Sequence, residues 1–139
     1  MEGVTLKVLI IDDEKGVLKM YSEYLGGGGI EALQATDGET GIKIAREQKP
    51  DVIFLDIIMP RYNGFDVLKD IKADPELKQI PVFLLTNLPA ESSGDKAKSL
   101  GAAGYLVKAQ YEPKMILDIV KSATTYKENP NPQSEPIGK

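Results

Sequence analysis

An α/β fold, with a parallel sheet between two helical layers, is what this sequence predicts, and two observations carry the prediction. Strand-like runs at Leu6 to Ile11, Glu31 to Ala35, Val52 to Leu55, Val82 to Leu85 and Tyr105 to Val107 alternate with stretches of helical spacing. That rhythm is the signature of βαβ units, whose right-handed crossovers build a parallel sheet. Four of the runs also end at a reactive side chain: Asp12-Asp13 after the first, Asp56 after the third, Thr86 after the fourth and Lys108 after the last. Buried parallel strands read as short continuous apolar runs, and their carboxyl ends face the crevice where open α/β sheets bind ligands. Three carboxylates, an ammonium and a hydroxyl therefore converge on one edge.

The elements follow in order. After the first run, a helix over Lys15 to Leu25 places Val17, Leu18, Tyr21 and Leu25 at helical spacing, with Asp13 or Glu14 available to cap its start and Gly26 to Gly29 ending it. After the second run, a helix near Glu39 to Gln48 uses Ile42, Ile44 and Ala45, and Pro50 prevents its continuation. After the third, a helix near Phe65 to Ala73 carries Phe65, Leu68 and Ile71 and stops before Asp74-Pro75. The fourth helix, about Glu91 to Leu100, is weakly apolar, so little core packing holds it and it is the element expected to move most readily. The fifth, near Pro113 to Tyr126, has Met115, Ile116, Ile119, Val120 and Ala123 on one stripe. Beyond it, residues 127–139 are Pro-rich and offer nothing to bury, so a single domain over 1–126 is expected to be followed by a disordered tail.

Composition narrows the chemistry. The chain has 139 residues, enough for one domain with a real core, and its 42% hydrophobic and 27% charged residues are those of an ordinary soluble protein. It has no cysteine, which excludes disulfides, thiolate nucleophiles and Cys-type zinc sites and fits a reducing compartment. It has no histidine either, which excludes a Ser-His-Asp triad, His-ligated metals and an imidazole base. Carboxylates, lysine, hydroxyls or a hard cation must do the work. The start lacks a basic region and no apolar run approaches roughly 18 residues, so a cytoplasmic protein with no signal peptide or membrane span is expected. The net charge of −4 lies wholly in residues 1–126, which argues against a nucleic-acid surface and is as readily a matter of solubility.

Two loops resemble phosphate cradles only superficially. Gly26 to Gly29 lacks the Lys-Ser/Thr pair of a P-loop and leads into a strand at Ile30-Glu31, so it reads as a loose turn. The loop after the first strand carries Asp12-Asp13-Glu14 where a dinucleotide fold has glycines, and it would repel a phosphate unless a cation stood between. Gathered carboxylates repel one another and favour a divalent cation. With only oxygen ligands on offer, Mg²⁺ or Mn²⁺ suits the site. Mg²⁺ held by few protein ligands usually also takes phosphate oxygens, which points to phosphoryl chemistry in which Lys108 and Thr86 contact the transferred group. One carboxylate is then the nucleophile. Each residue also has a plainer reading: Asp12 and Asp13 as helix caps, Asp56 as a turn residue, Lys108 as a solvated or charge-neutralising lysine, Thr86 as a strand former and Tyr105 as a core aromatic.

Taken together these residues resemble the response-regulator receiver domain of two-component signalling, of the single-domain, chemotaxis-regulator kind. The resemblance spans residues 5 to about 124. It rests on Ile10-Ile11-Asp12-Asp13-Glu14, Asp51-Val52-Ile53-Phe54-Leu55-Asp56-Ile57-Ile58-Met59-Pro60, Asn63-Gly64, Leu84-Leu85-Thr86 and Gly101-Ala102-Ala103-Gly104-Tyr105-Leu106-Val107-Lys108. It implies a flavodoxin-like, doubly wound five-stranded sheet in the order 2-1-3-4-5 with five helices. It implies that Asp56 is the phosphoacceptor, that Asp13, Asp56 and the Ile58 carbonyl ligate Mg²⁺, and that Asp12 supports the ion through water. The donor implied is a phosphohistidine on a sensor histidine kinase or phosphotransfer protein, with the receiver supplying the catalytic groups while not being a turnover enzyme. Thr86 and Tyr105 are the implied switch pair, reshaping the face of the fourth helix, fifth strand and fifth helix that meets a downstream protein. Neither nucleic acid nor membrane is expected as a partner.

Two positions depart from the family pattern, and two more bear on the site. Ala109 follows Lys108 where most receivers have a cis-proline, and a cis bond before a non-proline costs about 2.5–4 kcal/mol, so either strain is tolerated or the loop differs. Asn87 replaces the usual small residue after Thr86, and Ile58 and Leu88 place apolar groups beside the expected phosphoryl site. Two other readings compete. A haloacid-dehalogenase-type phosphatase needs Asp-x-Asp at its first strand and a cap domain, whereas this chain has adjacent aspartates and no room for a cap. A receiver-like module that binds protein without taking phosphate is the stronger alternative.

Overall fold

The computed structural model describes residues 5–128, with side chains through Thr124. Strand β1 (Lys7–Ile11) is followed by α1 (Lys15–Gly27), β2 (Glu31–Ala35), α2 (Gly38–Gln48), β3 (Val52–Leu55) and α3 (Gly64–Ala73). Then come β4 (Val82–Thr86), α4 (Ala90–Ser99), β5 (Gly104–Val107), a 3-10 turn (Lys108–Gln110) and α5 (Pro113–Glu128). All strand pairings are parallel and the sheet order is β2-β1-β3-β4-β5. This is the flavodoxin-like, doubly wound architecture. Among the described residues no helix is long and apolar enough to cross a membrane.

Strand alternation sends successive side chains into two cores. Leu9, Ile11, Ile53, Leu55, Val82 and Leu84 pack with Val67, Leu68 and Ile71 of α3 on one face. Val8, Ile10, Val52, Phe54, Phe83 and Leu85 meet Leu18, Tyr21 and Leu25 of α1 and Ile116, Ile119 and Val120 of α5 on the other. Because β1, β3 and β4 are covered on both sides, they tolerate no polar interruption, which is why their sequences are continuous apolar runs. The connections begin with conventional caps at two helices: Asp37 Oδ1 accepts from the Thr40 N–H at 2.8 Å, and Asn63 Oδ1 from the Asp66 N–H at 3.1 Å.

Several sequence expectations are corrected. Met115 is 44% exposed and lies off the buried stripe of α5. Val17, Ile44 and Phe65 are only partly buried. Helix α1 runs through Gly26 and Gly27, and Gly28 closes it with its N–H on the Leu25 and Tyr24 carbonyls; the reversal falls at Gly29, at φ +87°. Glu14 occupies the N-cap of α1 but its carboxylate makes no capping bond. Helix α5 extends two residues past Tyr126, and the expected tail beyond it, residues 129–139, lies outside the described residues. As expected, α4 buries little, only Ser93 and Ala97.

Gly64 shows how tightly the end of β3 is wrapped. A Cβ there would collide with the Asp56 carbonyl oxygen and lie 2.6 Å from the Ile57 Cα, both backbone atoms that cannot swing aside. Gly64→Ala is expected to lower the unfolding free energy by about 1–3 kcal/mol. Urea unfolding of parent and variant checks this, and equal midpoints would refute the close approach.

Candidate functional site

The site is built at the carboxyl ends of β1, β3, β4 and β5. The Asp56 N–H donates to the Ile11 carbonyl at 3.0 Å, which fastens the end of β3 to the end of β1, and the Asp12 N–H donates to Ala35 at 3.0 Å from the β2 side. Backbone register thus sets the carboxylates side by side. Ligand oxygens of Asp12, Asp13 and Asp56 all lie within 4.8 Å of one another, with Asp12 and Asp56 buried and Asp13 exposed. This group of hard oxygen donors could hold a divalent cation.

Each buried acid has fixed partners. Asp12 Oδ1 accepts the N–H of Glu14, the residue just ahead of α1, at 2.9 Å. Asp56 Oδ1 accepts the Ile58 N–H at 3.2 Å. The Lys108 ammonium, delivered by the turn after β5, lies 2.7 Å from Asp12 Oδ2, 3.1 Å from Glu14 Oε1 and 3.2 Å from Asp56 Oδ2. One ammonium is therefore paired with three carboxylates. Burial pushes the Asp12 carboxyl above its ordinary range, only partly opposed by the hydrogen bond from Lys108. Burial also disfavours the Lys108 charge, but its bonds to Asp12 and Glu14 and the charge of Asp56 outweigh that and hold its pKa above the usual lysine range.

Thr86 is fully buried at the end of β4, and its hydroxyl accepts the Leu88 N–H at 3.4 Å. The half-buried Tyr105 donates its hydroxyl to the Leu88 carbonyl of the same loop at 2.9 Å. Both members of the expected switch pair thus grip the β4–α4 connection. Ile58 is 53% exposed between the buried Ile57 and Met59, and Leu88 is half-buried. Asn87 is exposed. No peptide bond among the described residues is cis, and Lys108–Gln110 forms its own 3-10 turn, so at Ala109 the loop differs from the pattern with proline. The structure brings Asp12, Asp13, Asp56 and Lys108 together and sets Thr86 and Tyr105 on the adjoining loop. Glu14 was missed as a partner of Lys108. Its position beside Asp13 was visible, but a contact across 94 residues has no local signal.

Residues 8–121 match the response regulator receiver domain family. Protein PilH of Pseudomonas aeruginosa is 34% identical over 113 residues, covering 81% of this chain and 93% of its own. The polar-differentiation response regulator DivK of Brucella ovis is 29% identical over 119 residues, covering 86% of this chain and 96% of its own. The chemotaxis protein CheY4 of Vibrio cholerae superposes with a TM-score of 0.80 at 30% identity, over 86% of this chain and 99% of its own. The protein is thus a receiver of the two-component class. This chain belongs to the response regulator receiver domain family. Membership displaces the phosphatase reading.

Proposed function

We propose that this protein takes a phosphoryl group from a phosphohistidine on a sensor kinase or phosphotransfer protein onto Asp56, and that the acyl phosphate switches a protein-binding face. The observation that supports this most is the convergence of Asp12, Asp13 and Asp56 within 4.8 Å of one another, with the Lys108 ammonium on Asp12 and Asp56. A carboxylate oxygen of Asp56 attacks phosphorus in line, the P–O bond forms as the P–N bond to the donor imidazole breaks, and the imidazole leaves. The resident ion would be Mg²⁺ or Mn²⁺, held by Asp13, Asp56 and the Ile58 carbonyl with Asp12 acting through water, and it would offset charge on the phosphoryl oxygens. Lys108 leaves its acids to meet those oxygens, and the Thr86 hydroxyl turns toward them. Thr86 and Tyr105 share the β4–α4 loop, so movement of one frees the other. That couples the site to the face of α4, β5 and α5.

Intact mass after incubation with Mg²⁺ and a small acyl-phosphate donor tests the reading: a stoichiometric phosphoryl adduct is expected, and its absence favours the protein-binding module. Ile58 and Leu88 follow Asp56 and Thr86 by two residues, and their amides bond to those same side chains, which sets both residues beside the site, where apolar groups would hinder an attacking water. The adduct is therefore expected to be long-lived. Ile58→Asn and Leu88→Glu should release phosphate several-fold faster in a time course; variants no faster than the parent sink the idea.

A further inference from the structure

The turn that carries Lys108 is held by the lysine's own ion pairs and by the partly buried Tyr111 ring. Its cap position makes no side-chain hydrogen bond, and Ala109 and Gln110 are exposed. Two hydrogen bonds in series nevertheless tie it to the core. The Tyr111 N–H donates to the Lys108 carbonyl at 3.2 Å, and the Tyr21 hydroxyl donates to the Tyr111 carbonyl at 3.4 Å. Tyr21 is 3% exposed, and its ring is packed in the α1–α5 core. A Phe there would fill the same space but donate nothing. Burial raises the phenol's pKa, so the hydroxyl stays a donor, and the charges of Lys108 and Asp12 act on it, which places it within the field of the site.

We propose that Tyr21 is a positioning residue for phosphoryl acceptance, holding from the core the backbone from which Lys108 reaches the carboxylates. The inference rests on the phosphoacceptor reading above. A side chain that must meet a transferred group gains rate when its origin is fixed, because misplacement near 1 Å is expensive in catalysis. Tyr21 does this from helix α1, 90 residues away in sequence.

The test uses the full chain as parent, Tyr21→Phe, Lys108→Met and the double variant, with Mg²⁺ and a small acyl phosphate, following adduct formation by intact mass. Tyr21→Phe is expected to slow the parent by roughly three- to tenfold. It should have no further effect in the Lys108→Met background, because it acts through the lysine. Hydrogen exchange of the segment 108–112 should be faster in Tyr21→Phe. Equal slowing in both backgrounds means a merely structural role and overturns the inference, as does an unslowed parent or unchanged exchange. Failure of the parent to form any adduct defeats the phosphoacceptor reading instead, and the exchange comparison alone then decides whether Tyr21 anchors the turn.

Discussion

Asp56→Asn is expected to abolish the phosphoryl adduct while leaving the protein folded and no less stable. The amide matches the carboxylate in shape, but its oxygen is neutral and a poor nucleophile, so no acyl phosphate forms. Stability should follow charge rather than packing. Asp12 and Asp56 are both buried, with ligand oxygens within 4.8 Å, and at an effective dielectric near 20 such a pair repels by on the order of 3 kcal/mol. The substitution removes that repulsion together with the Lys108–Asp56 attraction at 3.2 Å, which is of similar size on the same estimate, so the two largely offset. Lys108 loses one bond yet keeps Asp12 at 2.7 Å and Glu14 at 3.1 Å. Intact mass and urea unfolding on one preparation check both halves. A persistent adduct in the folded variant refutes Asp56 as acceptor, and a large loss of stability refutes the account of repulsion.

How far the sequence could be read follows from where each constraint acts. Strands β1, β3 and β4 were legible because both their faces are buried, so an apolar run and its polar terminator mark the strand and its ligand-facing end together. That ground alone brings the acids and Lys108 to one edge of the sheet, where they lie together. The sheet order needed the family resemblance, because crossover handedness leaves more than one order open. What escaped depends on contacts without local pattern. Glu14 reads as a capping residue until Lys108 arrives from the far end of the chain. Tyr21 reads as core, which its ring is, while its hydroxyl serves the loop after β5. Met115 has the right spacing for the stripe of α5 but falls at its margin, where a helix turns to solvent, and periodicity alone cannot locate a margin. Gly64 was visible only as part of a motif, and its reason is the backbone of Asp56 and Ile57 beneath it.

Lys108→Met is expected to lower the unfolding free energy by about 3–5 kcal/mol at neutral pH without metal, because it strands Asp12 and Asp56 as buried charges without their cation. The lysine's folded pKa lies above its ordinary value of 10.5. The stability it contributes is therefore complete below 10.5 and lost as the pH rises through the folded value, so the parent should weaken in alkali where the variant does not. Asp12 works in the same direction, at the acid end of the scale. Burial raises its folded pKa above the ordinary 3.8, so the native state binds the extra proton and stability falls as the pH climbs through the window above 3.8. The Lys108 hydrogen bond and charge oppose that rise, and their removal widens the window upward. The variant should accordingly regain stability as the pH falls toward 3.8, more than the parent does. It should also regain it on adding Mg²⁺, which replaces the missing positive charge. Urea unfolding of both proteins across that range, with and without Mg²⁺, measures all three effects. A variant as stable as its parent at neutral pH without metal would show that solvent, rather than Lys108, balances the buried acids. Recovery by Mg²⁺ without recovery in acid would assign the cost to Asp13 and the exposed rim of the site instead of to Asp12.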